Sequence, residues 1–243
     1  MKDVIIVPTY NERENISIII PLIVTHAPHA EVLVVDDNSP DGTGEAVREL
    51  GKSYPQVSLY AREQKNGLGR AYLDAFRRVL ERPDIRSITI MDADMSHDPK
   101  YLPQLFAGLD AVDIVIGSRY VPGGALEGWE LWRKILSRWG NAYARTIAEM
   151  PIYDCTGGFN TMRADALRKL DFAMLERFHG YAFMMALKFL LIKRGARFQE
   201  IPIVFKNRRL GDSKISQNII REGIVAPWKL RAYRKKVRDK MAS

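Results

Sequence analysis

The chain has 243 residues, 47% of them hydrophobic and 27% charged, which excludes a disordered, fibrous or low-complexity protein and supplies enough apolar material for one large domain. Net charge is +8, of which +6 lies between Lys229 and Lys240, so the rest of the chain is nearly neutral. The single cysteine, Cys155, excludes an intrachain disulfide and a multi-cysteine zinc site and fits a reducing compartment.

Met1-Lys2-Asp3 runs directly into Val4-Ile5-Ile6-Val7, without the profile of a secretory leader. The first half then alternates β-branched runs (4–7, 31–35, 57–60, 87–91, 114–117) with helical patterns (12–24, 43–53, 67–81, 99–108). That order predicts an α/β fold with a mostly parallel sheet covered on both faces, and a ligand beyond the carboxyl ends of the strands. After about residue 120 a Gly-rich loop leads to a helical stretch at 130–149. A second loop holds Asp154 to Gly158, followed by a helix near 181–193, a strand near 198–205, a polar loop at 206–214 and a basic helix. The apolar stretches 16–24 and 181–192 are broken by Pro21 and Lys188 and are shorter than the ~20 residues that span a bilayer, so a peripheral membrane contact is expected instead.

Chemistry is expected at the strand ends. After the first strand, Thr9 or Asn11 is a candidate N-cap; after the second come Asp36 and Asp37, where a carboxylate meets a ribose or base. Asp92-Ala93-Asp94 follows the fourth strand. Extended-chain alternation puts its two carboxylates on one face, where they repel unless a cation lies between them, and oxygen ligands favour Mg2+ or Mn2+. His97 and Asp98 read more simply as turn residues before Pro99. Arg119 ends the fifth strand, and Arg133, Lys134 and Arg138 share a helix. Acidic groups at early strand ends and cations in later segments suit a metal holding one phosphate and arginines another.

Taken together, Val7-Pro8-Thr9-Tyr10-Asn11-Glu12, Val34-Val35-Asp36-Asp37-Asn38-Ser39-Pro40-Asp41-Gly42-Thr43, Met91-Asp92-Ala93-Asp94-Met95-Ser96-His97 and Gly117-Ser118-Arg119-Tyr120 resemble the inverting GT-A-fold glycosyltransferases, and within them the polyprenyl-phosphate (dolichol-phosphate) mannose synthase family. The likeness continues through residues 133–138, 154–159 and 208–214. It implies transfer of mannose from GDP-mannose to a polyprenyl (dolichyl) phosphate with inversion. A nucleotide-sugar-binding half (1–120) and an acceptor-side half (121–214) would form one domain, with a basic, membrane-peripheral segment at 215–243. It further implies that Pro8, Tyr10, Glu12, Val35 and Asp37 contact the nucleotide, and that Asp92, Ala93 and Asp94 handle the diphosphate, with Ser96 completing the metal site. Arg119, Arg208 and Lys214 would bind donor phosphates or acceptor, Arg133 and Ser137 would sit on a mobile acceptor loop, and Asp92 or Asp154 would orient the nucleophile. A cytoplasmic, peripheral location, with room for a small membrane-protein partner, follows from the same likeness, and the nearly neutral core argues against nucleic acid as a partner.

Two departures concern the acceptor side. Ala186 stands where similar proteins carry a carboxylate three residues after Phe183, and Asn160 where Arg is frequent. A missing carboxylate would leave a basic residue without its partner. The rivals are a polyprenyl-phosphate glucosyltransferase or a related transferase using a UDP-sugar, a catalytically silent nucleotide-sugar-binding module and, last, nucleic-acid binding through the basic tail, which lacks any accompanying recognition motif.

Overall fold

The computed structural model describes residues 1–207 and 217–241. In chain order the elements are β1 (Lys2–Thr9), α1 (Arg13–His26), β2 (Glu31–Asp36), α2 (Thr43–Ser53), β3 (Val57–Ala61), α3 (Leu68–Leu80) and β4 (Ile85–Ile90), then a 3-10 turn (Pro99–Tyr101), α4 (Leu102–Gly108), β5 (Ile114–Ser118) and β6 (Ala125–Glu127). There follow α5 (Leu131–Ala148), β7 (Asn160–Arg163), α6 (Ala164–Arg168), α7 (Phe172–Leu175), α8 (Gly180–Lys193), β8 (Phe198–Pro202), β9 (Val204–Lys206) and α9 (Gln217–Met241).

Seven strands form one sheet in the order β3-β2-β1-β4-β7-β5-β8, and β6 pairs with β9 in a separate ribbon. The run Val4 to Val7 is buried on both sides because helices cover both faces, which is why the strand reads as continuously apolar. One face packs under α3 and α8. There Ala71, Tyr72, Ala75, Phe76 and Val79 recur at helical spacing and build a buried stripe. The other packs under α1 and α4, with Ile16, Ile19, Ile20 and Ile23 against Val7, Val34 and Leu105. The chain is thus a single α/β domain, as the alternation of elements predicts.

The structure departs from expectation in three places. β7 enters antiparallel between β4 and β5, pairing Ile88 with Met162 and Ile116 with Asn160. Its Asn-Thr-Met-Arg sequence has no apolar run; the strand is held by its position, where the Thr89 and Thr161 hydroxyls meet at 2.8 Å. The strand expected over 198–205 breaks at Ile203: its N–H still donates to the Ser118 carbonyl of β5 at 3.0 Å, but its own carbonyl accepts from Ala125, and β9 turns to pair with β6. Neither Thr9 nor Asn11 caps α1. The Thr9 hydroxyl is taken by Asp36 (2.8 Å), Asn11 adopts φ 58°, and Glu12 begins the helix with its N–H on the Thr43 hydroxyl at 3.0 Å.

Candidate active site

The carboxyl ends of β1, β2, β4 and β5 converge on one mouth, as a mostly parallel sheet requires. At its β1–β2 side the paired aspartates divide their labour. Asp36 accepts hydrogen bonds from the Thr9 and Ser39 hydroxyls and the Ser39 N–H, so it locks the turn after β2. Asp37 pairs with the nearly buried Arg62, which also reaches Asp74 at 3.0 Å. Burial raises the Asp37 carboxyl above its ordinary range and outweighs the opposing pull of Arg62. Tyr10 stands half-buried beneath Lys65, whose Nζ is 3.6 Å from the ring centroid. Glu12 accepts from the Asn15 side-chain amide at 2.6 Å.

The segment after β4 turns sharply, with Met95 at φ 64°. Alternation sends Ala93 into the core while Asp92 keeps about a third of its side chain open (32%) and Asp94 is nearly buried. His97 lies beneath this turn. Its Nδ1 accepts the Asp92 N–H at 2.9 Å, and its ring stacks on Phe159 and meets Phe205 edge-on. Burial drives His97 down to about 4, so the imidazole is neutral and can accept at Nδ1. The turn-residue reading of His97 is therefore too modest: it is the post on which the aspartate turn is built. Asp98 does match its expectation, capping the 3-10 turn through the Lys100 N–H.

Opposite stands Arg119. Asp154, fully buried, takes its Nε and Nη2 at 2.7 and 2.8 Å and its backbone N–H at 3.1 Å, and also accepts the Gly157 N–H at 2.8 Å. Burial alone would raise the Asp154 carboxyl, but the Arg119 charge and hydrogen bonds bring it far below the ordinary carboxylate range. This corrects the role expected for Asp154. A fully buried carboxylate with both oxygens engaged cannot orient a nucleophile; it positions Arg119. A Cβ on Gly157 would come within about 3 Å of that carboxylate, which is why glycine occupies the tight turn.

The turn is fastened on every side. The Asn141 Oδ1 accepts the Cys155 N–H, Thr156 accepts from Arg119, and Glu200 accepts the N–H groups of Tyr153 and Asp154. The Nζ of Lys188, on α8, donates to the carbonyls of Asp154 and Gly157 at 2.8 and 2.9 Å. Sequence reading missed Arg62, Asn141, Glu200 and Lys188. Only Lys188 leaves a trace there, as the charge that interrupts an apolar helix.

Arg133 and Ser137, expected on a mobile loop, lie one turn apart on α5, whose own hydrogen bonds fix their backbone. Ser137 meets the Tyr120 hydroxyl at 2.6 Å. Arg133 covers Trp129, whose ring meets Phe205, and Arg119 covers the other side of that contact. Arg133 is thus linked to Arg119 through Trp129 and Phe205, and Ser137 through Tyr120, whose ring centroid lies 5.2 Å from the Arg119 guanidinium. The other side of α5 is bare: Leu131, Trp132, Ile135, Leu136 and Trp139 are 49–73% exposed. On the neighbouring α9, Ile224, Val225 and Trp228 are also exposed, and Trp228 and the Ile224 carbonyl are tied to α5 through Tyr143.

Other expectations fare differently. Val35 is fully buried in the core, so its side chain faces away from the mouth. Pro8 is part of β1 beside it, paired in register with Val35. Ser96 is fully buried, with its hydroxyl on Asp94 at 2.5 Å; it aims a carboxylate in this arrangement instead of offering a ligand of its own. Arg208 and Lys214 lie outside the described residues. Asn160, fully buried on β7, donates to the Gly157 carbonyl. Arg119 is paired with Asp154, and Ala186 is itself fully buried in the core.

Among the described residues no cluster of three or more His, Cys, Asp and Glu side chains closes a protein cage. Asp92 and Asp94 supply oxygen only, and their charge reaches the buried Tyr72 phenol, already raised by burial, and raises it further. An incomplete, all-oxygen, anionic set fits a hard divalent cation that fills its shell from substrate phosphates and water.

Comparison with known proteins places this geometry in a family. Residues 4–171 match the model of glycosyl transferase family 2. The undecaprenyl-phosphate mannosyltransferase of Micrococcus luteus is 41% identical over 226 residues, 93% of this chain and 92% of that protein. The polyprenol monophosphomannose synthase of Mycolicibacterium smegmatis is 41% identical over 234 residues, 95% and 88% of the respective chains. Among solved structures, glucosyl-3-phosphoglycerate synthase of Mycobacterium tuberculosis, bound to Mn2+, UDP-glucose and phosphoglyceric acid, superposes with a TM-score of 0.71 at 17% identity over 95% of this chain and 80% of that one, which speaks to fold alone. The chain belongs to glycosyl transferase family 2, with the GT-A fold, and within it to the polyprenyl-phosphate mannose synthases.

Proposed function

We propose that this enzyme transfers mannose from GDP-mannose to a polyprenyl phosphate, with inversion and with Mg2+ or Mn2+, while lying against the cytoplasmic face of a membrane. The observation that carries this reading is helix α5. Its inner side takes Arg133 and Ser137 toward Arg119, and its outer side bears a stripe of exposed Leu, Ile and Trp. A lipid phosphate needs both at once: cations for the head and an apolar bed for the chain. Exposed Trp132, Trp139 and Trp228 suit the headgroup boundary, and Arg138, Lys229 and Arg231 flank them with positive charge. No helix among the described residues is long and apolar enough to cross a membrane.

Residues 1–120 hold the donor in this reading. Asp37, backed by Arg62, and the Tyr10 ring face the nucleoside, while Asp92 and Asp94 would hold the cation. The cation, when bound, neutralises the departing diphosphate. Residues 121–214 serve the acceptor. Its phosphate monoester is already ionised near neutral pH, so attack on the sugar carbon needs no strong general base. Arg119, held rigid by Asp154, is preorganised for charge at the reacting centre, and rate comes from positioning.

The test is transfer of labelled mannose to a short polyprenyl phosphate in vesicles, with GDP-mannose or UDP-glucose as donor, and with Mg2+, Mn2+ or chelator. Metal-dependent mannolipid from GDP-mannose is expected, without any added membrane protein. Equal use of UDP-glucose, or turnover in chelator, would overturn the donor or the metal assignment respectively.

A further inference from the structure

We infer that Arg62 is a positioning residue that sets which base the enzyme accepts: with Asp74 behind it, it fixes the Asp37 carboxylate as an acceptor for the adjacent N–H groups of a guanine. The inference rests on the donor reading above, in which Asp37 faces the nucleoside, and adds what makes that carboxylate selective.

Arg62 directly follows β3, and three contacts fix it. Its backbone N–H donates to the Asp36 carbonyl at 2.8 Å, which lays the end of β3 against the end of β2. Its Nη2 meets the Asp74 carboxylate at 3.0 Å and its Nη1 pairs with Asp37 Oδ1, so one planar fork spans two carboxylates on different elements. At 8% exposure Arg62 offers little surface to a ligand, so what it does for the donor passes through Asp37.

Asp74 is a firm anchor. It lies on α3 beside Tyr72, Ala75 and Phe76, which are locked in the core. Its second oxygen faces Arg77 and Arg70 at 3.5 and 3.7 Å, and both arginines return to Glu176 at the end of α7. Alternating charges thus run from α7 through α3 to Asp37. The other charges near Asp37 are engaged elsewhere: Asp36 with Thr9 and Ser39, Lys65 with the Tyr10 ring.

Asp37 keeps Oδ2 without a hydrogen bond among the described residues. A carboxylate accepts and does not donate. Guanine offers it two neighbouring donors, the ring imino N–H and the exocyclic amine. Uracil offers one N–H between two carbonyl oxygens, which a carboxylate repels. A carboxylate free to swing could adjust to either base, whereas one clamped by a buried fork leaves the wrong base with an unmade or repulsive contact.

The experiment measures binding of GDP, IDP and UDP with Mn2+, together with thermal stability, for the wild type, Arg62→Lys and Asp74→Asn. IDP differs from GDP only in lacking the exocyclic amine. Wild type should bind GDP about 10–100-fold more tightly than IDP, as for a hydrogen bond to a charged group. Arg62→Lys keeps a positive charge but loses the fork, and the GDP-to-IDP ratio should fall to about threefold or less; Asp74→Asn should lower it by a smaller factor. A purely structural arginine would weaken all three nucleotides alike and leave the ratio unchanged, which overturns the inference. Equal wild-type affinity for GDP and IDP also overturns it, whether or not the variants fold, and leaves the donor reading intact where GDP is still preferred to UDP. A wild-type preference for UDP over GDP overturns the donor reading and this inference together.

Discussion

The two sides of the mouth are built on opposite principles. On the donor side and behind Arg119, polar atoms are buried and matched: Asp36 with Thr9 and Ser39, Asp37 with Arg62, Asp92 N–H with His97, Asp154 with Arg119. On the acceptor side, α5 and α9 leave large apolar side chains in the open. Buried polar networks cost much when broken and so hold side chains to one geometry, which suits charge stabilisation. An exposed apolar helix face gains its free energy only when something covers it, which suits reversible contact with a bilayer. In the proposed reading, the enzyme is rigid where the diphosphate leaves and unfinished where the lipid arrives.

That contrast can be broken most severely at Asp154. Asp154→Asn strands the buried Arg119 charge and is expected to cost about 3–5 kcal/mol of stability as well as most of the activity, read by denaturant unfolding and by turnover. The sign with pH follows from the depressed carboxyl: the stability advantage of wild type over Asp154→Asn is complete above the unfolded-state value of about 4 and shrinks as acid protonates the native carboxylate. Equal melting at every pH would show that the buried pair is dispensable. Next in size, Asp94→Ala should lower transfer by roughly 10²–10³-fold and remove its response to added metal. Wild-type turnover in that variant would sink the metal assignment.

On the acceptor side the expected losses are smaller and selective. Leu136→Glu with Trp139→Glu should weaken vesicle co-sedimentation by about 10²–10⁴-fold, corresponding to about 1.5–3 kcal/mol for each of the two buried side chains, and raise KM for a long-chain acceptor while leaving GDP affinity unchanged. Removing residues 229–243 should matter less than this double variant. The opposite order would return the membrane contact to the basic tail. Smallest of all, Lys65→Ala removes the cation above Tyr10 and should change donor KM by about 2–5-fold, following about 0.5–1 kcal/mol for an exposed cation–π pair. No change there would take Lys65 out of the donor side.

Much of the donor side was legible because its signals are local. A strand ending in Asp-Asp or Asp-Ala-Asp places its carboxylates at a sheet mouth by alternation alone, and β-branched runs spaced by helical patterns dictate a covered parallel sheet. The motif order was specific enough to indicate the family. β7 was not legible, because four residues without an apolar run become a strand only when β4 and β5 leave a gap between them. Nor was the role of Asp154, since adjacency in a Gly-rich loop resembles turn chemistry until Arg119, thirty-five residues earlier, closes on it.

The sequence by itself therefore determined which residues stand at the strand ends and which strand runs are buried, since both follow from short-range periodicity and chain direction. Tertiary structure alone decided which of those polar residues face the substrate and which face one another. Asp36, Ser96, His97 and Asp154 turned inward to partners. Lys188 found its carbonyls across the domain, and α5 turned its tryptophans outward. The physical reason is that a polar group's role depends on whether a complementary group reaches it in a desolvated interior, and that is fixed by packing between segments far apart in the chain.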